Sequence, residues 1–330
     1  MATWNADLTR KGPGLLLQDI RRGEDPQIAA VVQGVVALDA DVLLLTGIDY
    51  DHQGVALNAL ADLLTKAGTP YPHRFALRPN TGMPTGLDLD GNGYLGDARD
   101  AMGYGRFAGA EGMALLSRLP INAQGAVDHS AYLWADLPGA MLPPTMPEPH
   151  RAMQRLPTTN HWQVPVTLPG GRSLTVMAWL ATPPVFDGPE DRNGRRNHDE
   201  SAFWLRLLDG DLAFKPPEPP FVILGQSNLD PADGAGRKAA ITALLQHKAV
   251  QDPRPRGLSA RHDQGQSGDP ALDTALYPKI GGLRVEIILP SQDLHVAGSG
   301  VDWPSDVDPS AALLNAASRH HPLWVDLVPP

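Results

Sequence analysis

Apolar residues at Ile28, Val31, Val32, Val35 and Val36 recur at i, i+3, i+4, i+7 and i+8, the spacing of one helix face. Asp25-Pro26 stands just before them, an acidic cap followed by proline at the first helical position. Leu57, Leu60, Leu63 and Leu64 mark a second amphipathic helix that Gly68 stops. Between the two, Asp41-Val42-Leu43-Leu44-Leu45 has the length and continuous apolarity of a buried strand. A first strand ends at Thr3-Trp4-Asn5. Further strands are predicted at His73–Arg78, Met113–Ser117, Gln163–Leu168, Ser173–Leu180, Phe221–Leu224, Arg284–Leu289 and Leu323–Leu327. Helices are predicted near His198–Leu208 and Arg237–Gln246. Proline-rich segments at Pro138–Pro149, Pro216–Pro220 and Gln251–Pro270 read as surface loops.

Strands outnumber helices, and helices fall between some strand pairs. That order suits two mixed sheets packed face to face with helices outside, a four-layer α/β/β/α sandwich of the α/β class. No break resembles a linker, so residues 1–330 are expected to form a single domain. The composition, 42% hydrophobic and 19% charged, is ordinary for a globular chain. A net charge of −10 repels polyanions, so charge-driven, sequence-independent nucleic-acid binding is not expected. With no cysteine there is neither a disulfide framework nor a thiolate ligand or nucleophile. No run reaches transmembrane length, and Met1-Ala2-Thr3 enters structure at once, without a signal peptide.

Candidate chemistry starts at Gly225-Gln226-Ser227-Asn228, directly after the apolar run Phe221-Val222-Ile223-Leu224. This resembles the Gly-Asp-x-Asn strand end of the endonuclease/exonuclease/phosphatase superfamily, the deoxyribonuclease-I-like metal-dependent phosphoesterases. The long segment Thr182–Glu200 is similar to a signature of a bacterial, mostly exported branch of that superfamily, as is Gly105-Arg106-Phe107 followed by Gly112–Arg118. The resemblance covers nearly the whole chain and implies the same α/β/β/α sandwich.

The resemblance also implies a site, and the chain departs from it. Asn5 matches an Asn at the end of the first strand, and Asp7 a carboxylate two residues on in some members. Gly47 stands at the place of a metal-binding Glu, with Asp49 two residues away. Leu180 stands where the family often has His, and Gln226 where it has the Asp that activates water. Asn228 keeps the partner amide. Glu286 is in the place of a late Asp, and Ser318-Arg319-His320 in that of Ser-Asp-His. An acid–base pair of Glu286 and His320 is thus kept in type. The carboxylates of a magnesium site are not, because Gly47, Gln226 and Arg319 remove three and add a permanent cation. At roughly 4 Å and an effective dielectric near 20, two like unit charges repel by about 4 kcal/mol, and a divalent ion doubles that.

Three functional readings follow. The first is a pseudoenzyme or weakened hydrolase, its cleft taking a phosphorylated or anionic small ligand on Arg319, Gln226, Asn228 and His320. The second is an active phosphodiesterase, nuclease or phosphatase with a rearranged centre, Asp7, Asp49 and Glu286 holding Mg²⁺ or Mn²⁺. The third is an interaction protein that uses the sandwich as a scaffold.

Asp88-Leu89-Asp90-Gly91-Asn92-Gly93 has the D-x-D-x-N-G spacing of a calcium loop. Asp88, Asp90, Asn92 and the Tyr94 carbonyl are the expected ligands of a structural Ca²⁺. Arg99 falls where a bidentate Glu would close the loop, leaving Asp97 or Asp100 to substitute. Calcium at extracellular levels fits an exported protein. Arg192, Arg195, Arg196 and His198 lie among Asp187, Glu190, Asp191, Asp199 and Glu200, and are expected to form a paired, solvated network. Asn197 or Asp199 is a candidate helix cap, and His161-Trp162 a candidate cleft rim.

Overall fold

The computed structural model describes residues 1–258 and 263–328; part of the predicted loop Gln251–Pro270 lies outside the described residues. In chain order the elements are β1 (Ala2–Asn5), α1 (Leu15–Arg22), α2 (Pro26–Leu38), β2 (Val42–Ile48), α3 (Val55–Lys66), β3 (His73–Phe75), β4 (Gly112–Ser117) and β5 (Val127–Asp128). There follow α4 (Glu148–Met153), β6 (His161–Thr167), β7 (Ser173–Leu180), α5 (Arg192–Asp209), β8 (Phe221–Gln226) and α6 (Ala239–Leu245). The last third holds β9 (Ala275–Tyr277), β10 (Gly281–Leu283), β11 (Glu286–Pro290), β12 (His295–Val301), α7 (Pro309–Ala317) and β13 (Leu323–Val328).

Two mixed sheets result. One has strand order β12-β13-β1-β2-β4-β3 and the other β11-β8-β7-β6-β5, with β9 and β10 forming a separate hairpin. Period-2 alternation divides each strand between two cores. In β2, Leu43 and Leu45 face α1, α2, α3 and α7, while Val42 and Leu44 face the second sheet. In β7, Val176, Ala178 and Leu180 meet the first sheet, while Met177 and Trp179 pack under Phe203, Trp204 and Leu207 of α5. Three apolar layers between four layers of structure is the predicted α/β/β/α sandwich.

Asp25 caps α2 as its sequence predicts, accepting from the Gln27 and Ile28 amides. The α5 expectations need correction. The helix begins at Arg192 after Asp191, so Asn197 and Asp199 lie inside it and cap nothing. His161 and Trp162 are fully buried, with the His161 ring stacked on Trp204 at 4.9 Å, so they are core rather than rim. Among the described residues, no helix is long and apolar enough to cross a membrane.

Candidate functional site

Strand register brings the candidate residues to one end of the sandwich. In the second sheet Gln226 pairs with Leu180 of β7 on one side and Glu286 of β11 on the other, so three strand ends align. In the first sheet Asn5 ends β1 beside Thr46 of β2. The two sheet ends face each other across a cleft of about 1330 Å³.

Three side-chain amides floor this cleft as a continuous relay. Asn5 Nδ2 donates to Gln226 Oε1 at 2.6 Å, Gln226 Nε2 to Asn228 Oδ1 at 2.6 Å, and Asn228 Nδ2 to the Ala181 carbonyl at 2.7 Å. Asn5 Oδ1 accepts the Asp7 backbone N–H at 2.9 Å. All three amide oxygens are thus occupied. Each NH₂ group has two hydrogens and uses one, so the relay keeps a spare donor hydrogen on each amide; Gln226 Oε1 also lies 3.4 Å from Thr46 Oγ1, while the Asn5 and Asn228 oxygens accept one bond each.

His320 is fixed beside it by the backbone. Trp4 Nε1 donates to the His320 carbonyl, and Ser318 Oγ accepts from the His320 N–H while donating to the Asn5 carbonyl. His320 Nδ1 lies 2.6 Å from Glu286 Oε1, and Glu286 is fully buried. With the carboxylate as acceptor the Nδ1 position carries the proton, which leaves Nε2 for the cleft. The structure therefore brings Glu286 and His320 together.

Arg319 is the exposed cation of the site. Its Nε bonds Asp7 Oδ2 at 3.1 Å, and no protein group among the described residues accepts from its two terminal nitrogens. Asp7, Glu111 and Asn228 take left-handed φ angles of 52°, 50° and 52°, and Gly47 one of 67°. Backbone in this sparsely populated region concentrates at sites that the rest of the fold holds in place.

The residues do not fit the divalent ion that the resemblance implies. Gly47 has no side chain, and a Cβ there would sit 2.2 Å from Asn5 Oδ1. Gln226 and Asn5 spend their oxygens on the relay, Glu286 is held by His320, and Leu180 packs into the core between the sheets. Nor do Asp7, Asp49 and Glu286 come together as the rearranged-centre reading requires. A bulge in the β2–β4 pairing between Thr46 and Ile48 accompanies the change, and Asp49 lines a separate, smaller pocket. There it accepts from Thr9 Oγ1 and from the Arg10 and Glu111 amides, and burial raises its pKa against those bonds.

Asp88 and Asp90 do come together, with Asp100 as the third carboxylate, their oxygens within 4.8 Å of one another. Asn92, a further expected ligand, is engaged otherwise: its Oδ1 accepts the Tyr94 N–H, and its Nδ2 donates to Asp90 and Asp97. The expectation for the arginine cluster also changes. Arg196 is buried and donates to the carbonyls of Leu156, Met102, Arg155 and Pro157, beside Glu200. Glu200 in turn accepts the Thr158 and Thr182 amides, and burial pushes its pKa up to about 7. These residues clamp the loops behind the cleft instead of facing solvent. Arg192 reaches the cleft and donates to Gln154 Oε1 and the Leu89 carbonyl, tying the Asp88 loop to α5.

Two cleft residues carry no sequence signal, Glu111 and Tyr277. Both come from segments whose approach to Arg319 is set only by the tertiary fold. The Tyr277 ring meets His320 edge-on at 6.0 Å.

A sandwich of two mixed sheets with the site at their aligned strand ends is the architecture of deoxyribonuclease-I-like proteins. The chain matches the endonuclease/exonuclease/phosphatase family over residues 2–320 and belongs to it. No curated protein matches the chain. Among solved structures it is similar to an endonuclease/exonuclease/phosphatase from Beutenbergia cavernae DSM 12333. The identity is 18% and the TM-score 0.57, over 99% of this chain and 70% of that one. A family protein from Leptotrichia buccalis C-1013-b aligns at 12% identity and TM-score 0.53, over 99% and 98% of the two chains. A mannosyl-6-phosphatase from Bacteroides thetaiotaomicron VPI-5482 aligns at 12% and 0.50, over 99% and 98%. These likenesses establish the shared fold.

Proposed function

We propose that this protein is a catalytically silent or severely weakened member of the family that binds a phosphorylated or otherwise anionic small ligand without a catalytic metal. The amide relay of Asn5, Gln226 and Asn228 carries this reading. It places hydrogen-bond donors where metal-binding carboxylates would have to be, and Arg319 adds a cation that opposes a divalent ion. A donor-rich floor with His320 and Arg319 beside it suits an oxyanion. Acidic side chains outnumber arginines along the cleft, among them Asp7, Glu111, Asp187 and Glu190, which favours a single anionic group over a polyanion such as nucleic acid.

The test measures hydrolysis of generic phosphomonoesters and phosphodiesters with Mg²⁺ or Mn²⁺, alongside phosphate binding by calorimetry. Phosphate binding in EDTA with no metal-dependent turnover is the expected result. Turnover at an ordinary enzymatic rate that His320→Ala abolishes would refute the proposal.

The Asp88 loop is assigned a structural Ca²⁺ on the same footing, with Asp100 supplying the carboxylate that the loop spacing lacks. Extracellular calcium levels would keep such a loop filled, which favours an exported protein. Added Ca²⁺ should raise the melting temperature of the wild type and leave that of Asp88→Asn unchanged; equal responses would remove the assignment.

A further inference from the structure

The donors described so far hold an oxyanion but do not choose between oxyanions. Tyr277 and Glu111 are the candidates for that discrimination: both line the cleft, and the charges of Asp7 and Arg319 act on each.

Tyr277 ends β9, whose backbone is tied to the segment carrying the site. The Leu276 N–H donates to the Arg319 carbonyl, and Ala275 bridges to His320. The Tyr277 hydroxyl has no hydrogen-bond partner among the described residues, although its ring is packed against His320 and lines the cleft. Burial first, and then Glu286 and Asp7, push its pKa above the ordinary tyrosine range, with Arg319 opposing. The phenol therefore keeps its proton and serves as a donor.

Glu111 is its counterpart. Its N–H is held by Thr9 Oγ1 and Asp49, which fixes the backbone at the cleft edge and leaves the carboxylate without a protein partner among the described residues. The residue is solvent-exposed, yet desolvation at the carboxyl, and then Asp7 and Asp49, raise its pKa, with Arg319 opposing. A carboxylate accepts hydrogen bonds and donates none. Facing a bound anion, it repels a fully deprotonated one and accepts a hydrogen bond from one that carries a proton.

We propose that Tyr277 and Glu111 act as a donor and acceptor pair that makes the cleft select a phosphate group bearing a proton over sulfate. The ligand class is then a phosphate or phosphomonoester in its protonated form. The inference rests on the anion-binding reading above.

The test is calorimetric titration of wild type, Tyr277→Phe and Glu111→Gln with inorganic phosphate, methyl phosphate and sulfate, each in EDTA at neutral pH. Wild type should bind phosphate and methyl phosphate in preference to sulfate. Tyr277→Phe keeps the ring against His320 and loses one bond to a charged group, so it should weaken phosphate roughly ten- to a hundredfold. Glu111→Gln replaces an acceptor by an amide that also donates, and should raise sulfate affinity about tenfold while lowering the preference for phosphate. Melting temperatures of both variants near that of wild type exclude unfolding as the cause. Wild type that binds phosphate and sulfate equally, or Tyr277→Phe that binds phosphate as wild type does, overturns this inference and leaves anion binding standing. Wild type that binds no anion overturns both.

Discussion

Gly47→Ala isolates the change at the site that most constrains it. Gly47 has a φ of 67°, where an alanine costs about 1–2 kcal/mol. The added Cβ would meet Asn5 Oδ1 at 2.2 Å and Asn5 Cγ at 3.0 Å, so the amide must swing away. Swinging it breaks the bonds to Gln226 and to the Asp7 N–H, each contributing about 0.5–1.5 kcal/mol. The expected loss is roughly 2–5 kcal/mol, read as a lowered urea midpoint with unchanged slope. The double variant Asn5→Ala/Gly47→Ala gives the steric part separately, because the atom that is struck has gone. Its loss should be smaller than the sum of the two single losses by about 1 kcal/mol or more. Gly47→Ala within about 0.5 kcal/mol of wild type, or strict additivity in the double variant, would show that Asn5 does not fill the space of the missing side chain. The same geometry bears on any attempt to rebuild a metal centre: Gly47→Glu alone should destabilise the protein without restoring hydrolysis.

Gln226→Leu leaves Asn5 Nδ2 and Asn228 Oδ1 without their partner in a buried seam and should cost about 1–3 kcal/mol in urea unfolding, with phosphate affinity lost as well. Arg196→Met strands carbonyls of Leu156, Met102, Arg155 and Pro157 beside buried Glu200, for a loss of roughly 3–5 kcal/mol. Asp273 is pushed up to about 7 by burial and then by Asp230, Asp233 and Asp263, while Gln266 opposes. The unfolded carboxyl ionises from its ordinary value near 3.8, and the folded one stays protonated to about 7, so this group's contribution to stability falls as pH rises between those values. Urea midpoints at pH 4, 5, 6 and 7 should therefore diverge in favour of Asp273→Asn as pH rises, and a constant difference would contradict the shift.

The layers were legible because each strand states its two faces in its own residues, as β2 does with Val42 and Leu44 against Leu43 and Leu45. Helix α2 was legible because Asp25-Pro26 announces it; α7 begins at the same signal, Asp308-Pro309, in an alanine-rich stretch whose apolar face is short. Helix α1 lacked any such cue, since a left-handed Gly14 precedes it without a capping side chain. Strand β12 is hidden by its glycines, of which Gly300 is required by the bulk of Trp324: a Cβ there would meet that ring at 2.7 Å. At the site, the resemblance placed Asn5, Gln226 and Asn228 at strand ends, Glu286 within a strand and His320 in a Ser-Asp-His-like segment. It could not reveal that Asn5 bonds Gln226, because that bond joins residues 221 positions apart. Arg319 reads as a free cation until Asp7, 312 positions away, is found beside it. The buried role of Arg196 was masked by its acidic neighbours in sequence, which its helix turns toward other partners.

The relay has a consequence for speed as well as for strength. Asn5 belongs to one sheet and Gln226 to the other, so the seam between the sheets is closed by uncharged groups that are already in place. On the proposed reading, a ligand arriving there need not wait for an ion to load at the relay. On the proposed anion-binding reading little ordering free energy is spent on binding, and a chelator that empties the Asp88 loop leaves the amide relay itself in place. Encounter should then be limited by diffusion into the cleft, with residence time the quantity that separates one ligand from another.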